Sequence, residues 1–229
     1  MLQLFFVESM KHPELTGDNA HHAERVLRMN KGEQLLISDG SGNWARCEIT
    51  ELSKKNVALK VIDSGMESAA THEISVLQAI PKSDRAKETV ELLTAAGVSK
   101  IYPWQANRAI GRESDKWQIA AIEASKQSRR FYIPEVSAKL DFPAAVNLFK
   151  EFSQVLICHE SAIQRISDVV VPADKTLIVI GPEGGITDEE LSQFESAGGK
   201  VIKLGRPVLR SAHAGIAAIS AVSALMKVW

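Results

Sequence analysis

The feature that most constrains the fold is an apolar run that ends in a cluster of glycines, within residues 177–190. Residues 177–180 are continuously apolar, which is typical of a short strand buried on both faces. Three glycines follow, Gly181, Gly184 and Gly185. Glycine at this density lets the backbone come close to a bound molecule. Thr187 and Glu190 then have the spacing of a capping box, which predicts that a helix begins there. The segment predicts strand, loop and helix, and ligands bind at this edge of an open α/β sheet.

A carboxylate, Glu183, lies inside the glycine loop. Its charge repels a phosphate and attracts an ammonium, a sulfonium or a hydroxyl group. The chain also contains neither G-x-G-x-x-G nor G-x-x-x-x-G-K-[ST], the two phosphate-binding fingerprints. The loop therefore does not indicate a nucleotide phosphate site. Spacing alone leaves open that the glycines only form a tight turn.

Composition narrows the class of protein further. The 229 residues are 45% hydrophobic and carry a net charge of −1, so local clusters of Lys and Arg must form any surface that binds nucleic acid. The two cysteines, Cys47 and Cys158, form no C-x-x-C pair, and the six histidines lack metal-ligand spacing. We therefore predict a reduced, cytoplasmic protein without a metal site. The sequence shows no signal-peptide pattern and no run long enough to span a membrane, so no membrane partner is expected.

The first 70 residues predict a small β domain. Strand-like runs occupy residues 2–7, 34–38, 44–50 and 57–62. One short basic helix is predicted over residues 20–29, with Val26, Leu27 and Met29 facing inward and with Arg25 and Arg28 on one outer face. This pattern favours a compact β-barrel. Residues 63–71 are small and polar and are predicted to be a linker.

Residues 71–229 alternate between strand and helix patterns, which predicts an α/β domain with a mainly parallel sheet. Predicted strands cover residues 74–80, 100–104, 131–136, 155–158, 177–180 and 200–204. Predicted helices cover residues 84–96, 114–129 and 142–152, a segment from Thr187, and residues 211–228. Ser211 has the residue type of an N-cap for the last helix. That helix is apolar almost all round, so it is buried in its own domain or against a partner.

Three segments follow strands at what is predicted to be one edge of this sheet. They contain Cys158-His159-Glu160, Gly181-Pro182-Glu183-Gly184-Gly185, and residues 204–210. Together they predict a pocket built mostly of backbone N–H and C=O groups. Such a pocket suits a ligand with an adenine ring and a zwitterionic amino acid.

The second and third of these segments resemble motifs of the SPOUT methyltransferases. The resemblance is strongest to the ribosomal RNA small subunit methyltransferase E family, with residues 22–28, 79–82 and 123–129 matching in the family's order. It implies a PUA-like barrel over residues 1–70 and a SPOUT methyltransferase domain with a trefoil knot over residues 71–229. It also implies a homodimer that uses S-adenosyl-L-methionine to methylate N3 of one uridine in 16S rRNA, in the decoding region. The RNA partner is 16S rRNA or the assembled 30S subunit.

The resemblance also implies roles for particular residues. The expected cofactor-binding residues are His159, Glu160, Ile180, Gly181, Pro182, Glu183, Gly184, Gly185, Leu204, Gly205, Val208, Leu209 and Ser211. Arg210 is the first candidate for a catalytic residue, because a fixed guanidinium would stabilise the negative charge of a uridine ionised at N3. A clamp on its own loop is an equal alternative for Arg210. The general base is left open between Glu183 and His213.

Residues expected to bind RNA fall into local basic clusters. They are Arg25, Arg28, Lys31, Lys82, Arg108, Arg112, Lys126, Gln127, Arg129 and Arg130. Any single cluster is also explained as a solvated helix face, or as cations favoured by a helix C-terminus.

Two departures from the family pattern leave rival functions open. Ala212 stands where the family commonly has a glutamate, and Arg206-Pro207 reverses the usual order. A non-catalytic RNA-binding protein of the same fold is one alternative, and a methyltransferase for another RNA position is a second. A nicotinamide-linked oxidoreductase is a third, but the chain lacks its phosphate fingerprint.

Overall fold

A computed structural model describes residues 2–53, 55–112 and 114–229. The chain forms two compact units. The N-terminal unit contains the chain up to Ala69 together with Ser125–Ile133, and the C-terminal unit contains Ala70–Ala124 and Pro134–Trp229.

The N-terminal unit is built on a five-stranded sheet. Its elements are β1 (Leu4–Phe6), β2 (Glu14–Thr16), α1 (Gly17–His21), β3 (Gln34–Ser38), β4 (Asn43–Leu52) and β5 (Asn56–Met66). The strand order is β1-β3-β4-β5-β2, with β1 parallel to β3 and the other pairs antiparallel. Alternate residues of β4, such as Ala45, Cys47 and Ile49, are buried in its core, as a half-buried strand requires. The predicted small β unit is confirmed, but β5 continues through Met66 into the segment predicted to be a linker.

The helix predicted over residues 20–29 is confirmed only as far as Val26, and its inward face is confirmed at Leu27 and Met29 but is wrong at Val26. After α1 the chain continues as a π-helical turn, His22–Val26, in which Leu27 N donates to His22 O at 2.9 Å. Bonds of this spacing rotate the side chains away from their positions on an ordinary α-helix. Val26 is consequently 59% exposed, and Arg28 lies beyond the helix with φ +53°. Arg25 and Arg28 therefore do not share a helix face.

The strand predicted over residues 131–136 is divided between the two units. In the N-terminal unit, the ring of Phe131 stacks on Trp44 at 5.6 Å, and Tyr132 forms a β-bridge with Ser41. Glu135–Val136 instead form β8 of the other sheet. Pro134 lies between them and has no N–H to continue a strand ladder, which explains the break.

The C-terminal unit has a six-stranded, entirely parallel sheet with the order β11-β9-β10-β6-β7-β8. Its strands are β6 (Glu73–Ala79), β7 (Lys100–Trp104), β8, β9 (Gln154–Cys158), β10 (Lys175–Ile180) and β11 (Lys200–Ile202). Its helices are α2 (Ser83–Ala95), α3 (Trp117–Ser128), α4 (Phe142–Leu148), α5 (Ile166–Val169), α6 (Asp188–Ser196) and α7 (Ser211–Leu225). The last four residues of α3 belong to the N-terminal unit. The predicted α/β class with a parallel sheet is confirmed.

Strand β10 lies at the centre of this unit and is buried on both faces. Ile178 and Ile180 pack into a core with α2 and α7, whereas Leu177 and Val179 pack into a second core with α4 and α6. All four side chains are at most 1% exposed. Burial of each contributes about 1.5–3 kcal/mol to folding. The strand predicted from the apolar run is confirmed.

The two ends of the glycine-loop segment lie as the sequence predicts, but the last helix begins differently. Thr187 Oγ1 accepts from Glu190 N at 3.2 Å and Glu190 Oε2 accepts from Thr187 N at 2.9 Å, which completes the capping box of α6. Ser211, in contrast, is the first residue of α7 and not its N-cap; Arg210 holds that position without a side-chain cap bond. Helix α3 likewise begins at Trp117, three residues after the predicted start.

Within the described residues, no helix combines the length and the apolar character needed to cross a bilayer.

Candidate active site

The carboxyl ends of β9, β10 and β11 open into one cleft of about 770 Å³. These strands are parallel neighbours, so the loops that follow them must emerge at the same edge of the sheet. Beyond the residues predicted for the cofactor, the cleft is lined by Lys82, Asp84, Arg85, Glu88, Ile110, Cys158, Ile186, Lys203, Arg206, Pro207, Arg210, Ala212, His213 and Ala214. The volume is in the range of small-molecule sites.

The glycine loop after β10 is tightly packed. A Cβ on Gly181 would lie 2.7 Å from Ile186 Cγ1, and one on Gly184 would lie 3.0 Å from Arg108 Cβ. Gly185 has φ +77°, which disfavours a side chain. The glycines are therefore required by the local backbone, whatever the cleft binds.

Two neighbouring loops hold the glycine loop in place. Lys82 N, directly after β6, donates to Glu183 Oε1 at 3.2 Å. Arg108 Nη1, from the segment after β7, donates to Gly184 O at 3.2 Å. The cleft wall is thus fixed by the segments after three adjacent strands, β10, β6 and β7.

The hydroxyl of Ser211 connects three elements at the base of the cleft. It donates to Gly181 O at 2.7 Å and accepts from Gln78 Nε2 of β6 at 3.1 Å. Gln78 is fully buried. Ser211 therefore stabilises the junction of β6, the glycine loop and α7 instead of capping the helix.

The segment after β9 contributes Cys158 and His159. Burial raises the pKa of the Cys158 thiol to about 12, so the group stays protonated and is not a nucleophile at neutral pH. His159 N donates to Ile202 O at 3.0 Å, and its Nδ1 lies 2.8 Å from Ser161 Oγ and 3.3 Å from Ser161 N. These bonds fix both the backbone and the ring of His159.

A wall of the cleft that the sequence analysis did not anticipate comes from the start of α2. Arg85 Nη1 donates to Glu88 Oε2 at 2.9 Å, and Glu88 Oε1 lies 3.2 Å from His213 Nε2 of α7. The bond from Arg85, followed by that from His213, lowers the pKa of Glu88. Gly215 allows helices α2 and α7 to come this close, because a side chain at this position would place its Cβ only 2.5 Å from Leu93 Cδ2. The sequence shows that α2 comes shortly after β6. Only the pairing of β6 with β10 shows that the start of α2 lies beside the cleft.

The structure brings together every residue expected to bind the cofactor, along with Arg210 and Lys82. Arg210 is exposed and lies at the N-cap of α7, where its carbonyl accepts from His213 N at 2.8 Å. Its guanidinium has no hydrogen bond or ion pair within the described part of the chain. A free guanidinium at the rim of a cleft is available to a ligand.

The other residues expected to bind RNA are divided between the two units. Arg25, Arg28 and Lys31 are exposed on the N-terminal unit. Arg108 and Arg112 follow β7, and the Arg112 carbonyl accepts from Lys139 Nζ at 2.9 Å.

The cluster at the end of α3 has a structural role within the N-terminal unit. Arg129 Nε donates to Leu2 O at 3.0 Å, and burial lowers the pKa of Arg130. Both side chains are half-buried, as is Lys126, whereas Gln127 is exposed. Arg129 thus contributes to packing, and its replacement would test folding as well as RNA binding.

The residues of the cleft fit a zwitterionic adenosyl cofactor. Apolar side chains such as Ile180, Leu204 and Val208 line it beside backbone amides, and these suit an adenine ring. The carboxylates Glu160 and Glu183 suit a sulfonium and an ammonium group. No group of three or more His, Cys, Asp or Glu side chains that could hold a metal ion occurs among residues 2–53, 55–112 and 114–229.

Comparisons with known proteins agree with this fold and cleft. A family model described as an RNA methyltransferase domain matches residues 68–223, and one described as an RNA methyltransferase PUA domain matches residues 15–62. A ribosomal RNA small subunit methyltransferase E of Mycobacterium bovis is 34% identical, over 99% of this chain and 93% of that protein. A crystal structure of a ribosomal RNA small subunit methyltransferase E from Neisseria gonorrhoeae, bound to S-adenosyl methionine, is 26% identical with a TM-score of 0.89, and 98% of each chain is covered. A methyltransferase from Legionella pneumophila in complex with S-adenosylmethionine gives 26% identity and a TM-score of 0.87, again over 98% of each chain.

The class defined by the fold and the matches is that of RNA methyltransferases with an N-terminal PUA domain. Within that class, the chain belongs to the ribosomal RNA small subunit methyltransferase E family. The resemblance noted from the two loop motifs is confirmed.

Proposed function

We propose that this protein transfers a methyl group from S-adenosyl-L-methionine to N3 of a uridine in the decoding region of 16S rRNA. The observation that carries the proposal is the convergence of three strand-end loops on one cleft, in a chain of this family. The relatives from Neisseria and Legionella bind S-adenosylmethionine with the same fold over nearly the whole chain. The cofactor, when bound, supplies an activated methyl group on a good leaving group.

The chain's own residues then have two tasks. The residues predicted for the cofactor bind and orient the donor, and close positioning accounts for much of the rate of such a reaction. Arg210 stabilises the negative charge that appears on the pyrimidine oxygens when N3 loses its proton.

The cleft has a charge asymmetry that suits these two ligands. The segment from Lys203 to Arg210 contributes three cations and no carboxylate, whereas the glycine loop contributes the carboxylate of Glu183. We assign the three cationic side chains of this segment to RNA, and we assign its other residues, together with the glycine loop, to the cofactor. We also assign residues 1–70 to RNA binding and residues 71–229 to catalysis, with Arg25, Arg28, Lys31, Lys82, Arg108, Arg112, Lys126, Gln127, Arg129 and Arg130 as the RNA-binding set.

The experiment that tests the function is mass spectrometry of 16S rRNA from a strain that lacks this protein. We expect one 3-methyluridine to disappear and to return when the wild-type gene is restored. Adding the purified protein and S-adenosylmethionine to free 16S rRNA, or to 30S subunits from the deletion strain, identifies the substrate. An unchanged modification pattern would contradict the proposal.

The second candidate is an RNA-binding protein without catalysis. The observation in its favour is Ala212, which is buried in the first turn of α7 and lines the cleft where the family commonly has a glutamate. Calorimetry with S-adenosylmethionine separates the two, because only the enzyme requires the cofactor. A methyl group missing from another RNA position would instead support a different target.

We further infer that the enzyme acts as a homodimer in the cytoplasm and that its C-terminal unit contains a trefoil knot. One side of α7 is buried in its own unit, and apolar side chains near its end remain exposed, including Leu225 and Trp229. An exposed apolar surface of this kind favours contact with a second copy.

A further inference from the structure

The contact between α2 and α7 fixes the proton on one ring nitrogen of His213. Glu88 receives a bond from Arg85 at 2.9 Å, and its lowered pKa keeps it ionised at neutral pH. An ionised carboxylate can only accept hydrogen bonds. His213 Nε2, at 3.2 Å, must therefore be the nitrogen that carries the hydrogen.

The other ring nitrogen is left as an acceptor. In neutral imidazole only one nitrogen is protonated, so Nδ1 of His213 keeps its lone pair. No described residue donates a hydrogen bond to this atom, and the half-exposed ring lines the cleft. The series of side chains Arg85–Glu88–His213 is the arrangement of a base whose orientation and tautomer are set by a carboxylate.

The second histidine of the cleft has its Nδ1 engaged within its own loop. His159 Nδ1 lies 2.8 Å from Ser161 Oγ and 3.3 Å from Ser161 N, so this nitrogen already has partners. Glu183 Oε1 already accepts from Lys82 N. His213 Nδ1 thus differs from His159 Nδ1 in two ways. No described residue bonds to it, and a charged carboxylate holds the opposite nitrogen of its ring.

We propose that His213 Nδ1 accepts the N3 proton of the target base and that Glu88, held by Arg85, is the positioning residue for that step. The N3–H bond breaks, the Nδ1–H bond forms, and the electron pair stays on N3, where it becomes the nucleophile. The imidazolium that results is stabilised by the Glu88 carboxylate and returns its proton to solvent. This inference rests on the proposed function and assigns the base that the sequence left open.

The charged groups around His213 are consistent with this assignment. On α2 they are Asp84, Arg85 and Glu88, and Arg85 Nε lies 3.7 Å from Asp84 Oδ2. Lys82 and Glu183, after β6 and β10, also line the cleft, and Arg210 precedes His213 on the chain. Asp168 of α5 accepts from Ser167 and does not line it.

The first test needs neither RNA nor cofactor. Imidazole ¹⁵N chemical shifts of the full-length protein report which nitrogen of His213 is protonated, with His213→Ala providing the assignment. We expect the Nε2–H tautomer in the wild type. In Glu88→Gln we expect the two tautomers to mix, because a carboxamide both donates and accepts. A wild-type ring with its hydrogen on Nδ1 would overturn the proposal.

The second test measures kinetics. We expect His213→Ala to lower kcat by about 10²-fold with little change in KM, as the loss of a general base does. The deficit should shrink when imidazole is added, and also at higher pH as the nucleobase loses its proton unaided. Glu88→Gln should lower kcat by about ten-fold, and Glu88→Asp should recover part of it. Loss of activity without imidazole rescue, or an unchanged kcat, would reject His213 as the base.

A matched control lies on the same helix. Glu91 pairs with Lys87 at 3.5 Å and does not line the cleft, so Glu91→Gln should leave kcat and the tautomer of His213 unchanged. Calorimetry with S-adenosylmethionine should give wild-type affinity for all of these variants. A wild-type protein that fails to bind the cofactor would reject the proposed function, whereas the tautomer measurement judges the Glu88–His213 geometry independently.

Discussion

At the scale of single residues, Ser211 illustrates how one hydroxyl links elements that are far apart in sequence. Its bonds to Gly181 O and Gln78 Nε2 connect α7, the glycine loop and β6. We expect Ser211→Ala to lower the free energy of unfolding by about 1–3 kcal/mol, since it removes both of these hydrogen bonds from a buried junction. We also expect weaker binding of S-adenosylmethionine. Thermal unfolding and calorimetry provide the two measurements.

The control for Ser211 is on the same helix. Among the described residues, Ser220 Oγ bonds only to Ile216 O, one turn earlier, so Ser220→Ala should change stability much less and leave cofactor affinity intact. Equal effects of the two variants would show that Ser211 has no special role in the cleft.

Cys158 gives a second prediction at this scale. With its pKa raised to about 12, only about one thiol in 10⁴ is ionised at pH 8. We expect iodoacetamide to modify Cys158 far more slowly in the folded protein than in the denatured chain, as followed by mass spectrometry. Cys47, whose pKa burial raises to about 11, should be slow as well. Rapid modification of Cys158 at pH 8 would contradict a thiol that stays protonated.

At the scale of elements, Glu190 links the start of α6 to the segment after β7. Its carboxylate accepts from Thr187 N at 2.9 Å and from Asn107 N at 2.8 Å, although the residue is only 1% exposed. We expect Glu190→Ala to lower the free energy of unfolding by about 2–3 kcal/mol, because it removes the capping box and leaves Asn107 N unpaired. Urea denaturation measures this change. Exposed Glu189 is the control, and a Glu189→Ala variant that is equally destabilised would argue against the cap.

At the scale of the whole molecule, the basic residues must account for RNA affinity in a chain of net charge −1. We expect the double variant Arg25→Ala, Arg28→Ala to weaken RNA binding. The slope of log K against log salt should also become shallower, by about 0.7–0.9 for each phosphate that the variant no longer neutralises. Exposed Lys60 of the same unit offers the control Lys60→Ala, which should bind as the wild type does. An unchanged salt slope in the double variant would remove this surface from the RNA site.

The association state is the second prediction for the whole molecule. We expect light scattering to give twice the 25.0 kDa of a single chain. Leu225 is 43% exposed at the end of α7, and Leu225→Lys should shift the protein toward the monomer. Val61, 42% exposed on the N-terminal unit, serves as the control in Val61→Lys. A wild-type mass of 25.0 kDa would reject the dimer.

Much of the site could be predicted from the sequence because its signals are local. The apolar run before Gly181, the glycines after it and the Thr187–Glu190 pair are all set by short-range sterics and hydrogen bonds, and each lies where predicted. The alternation of strands and helices likewise required parallel pairing. These features depend on neighbours within a few residues, which a sequence displays directly.

The rest was decided by long-range packing. Strand β10 pairs with β6, about a hundred residues earlier in the chain, and only this pairing places the start of α2 beside the glycine loop. The Arg85–Glu88–His213 contact, the role of Ser211 and the transfer of Phe131 and Tyr132 to the N-terminal unit all follow from such pairings. The sequence alone determined the class of fold and the loops of the cleft. The tertiary structure decided which side chains face one another across it, because strand order and helix packing depend on the free energy of the whole core.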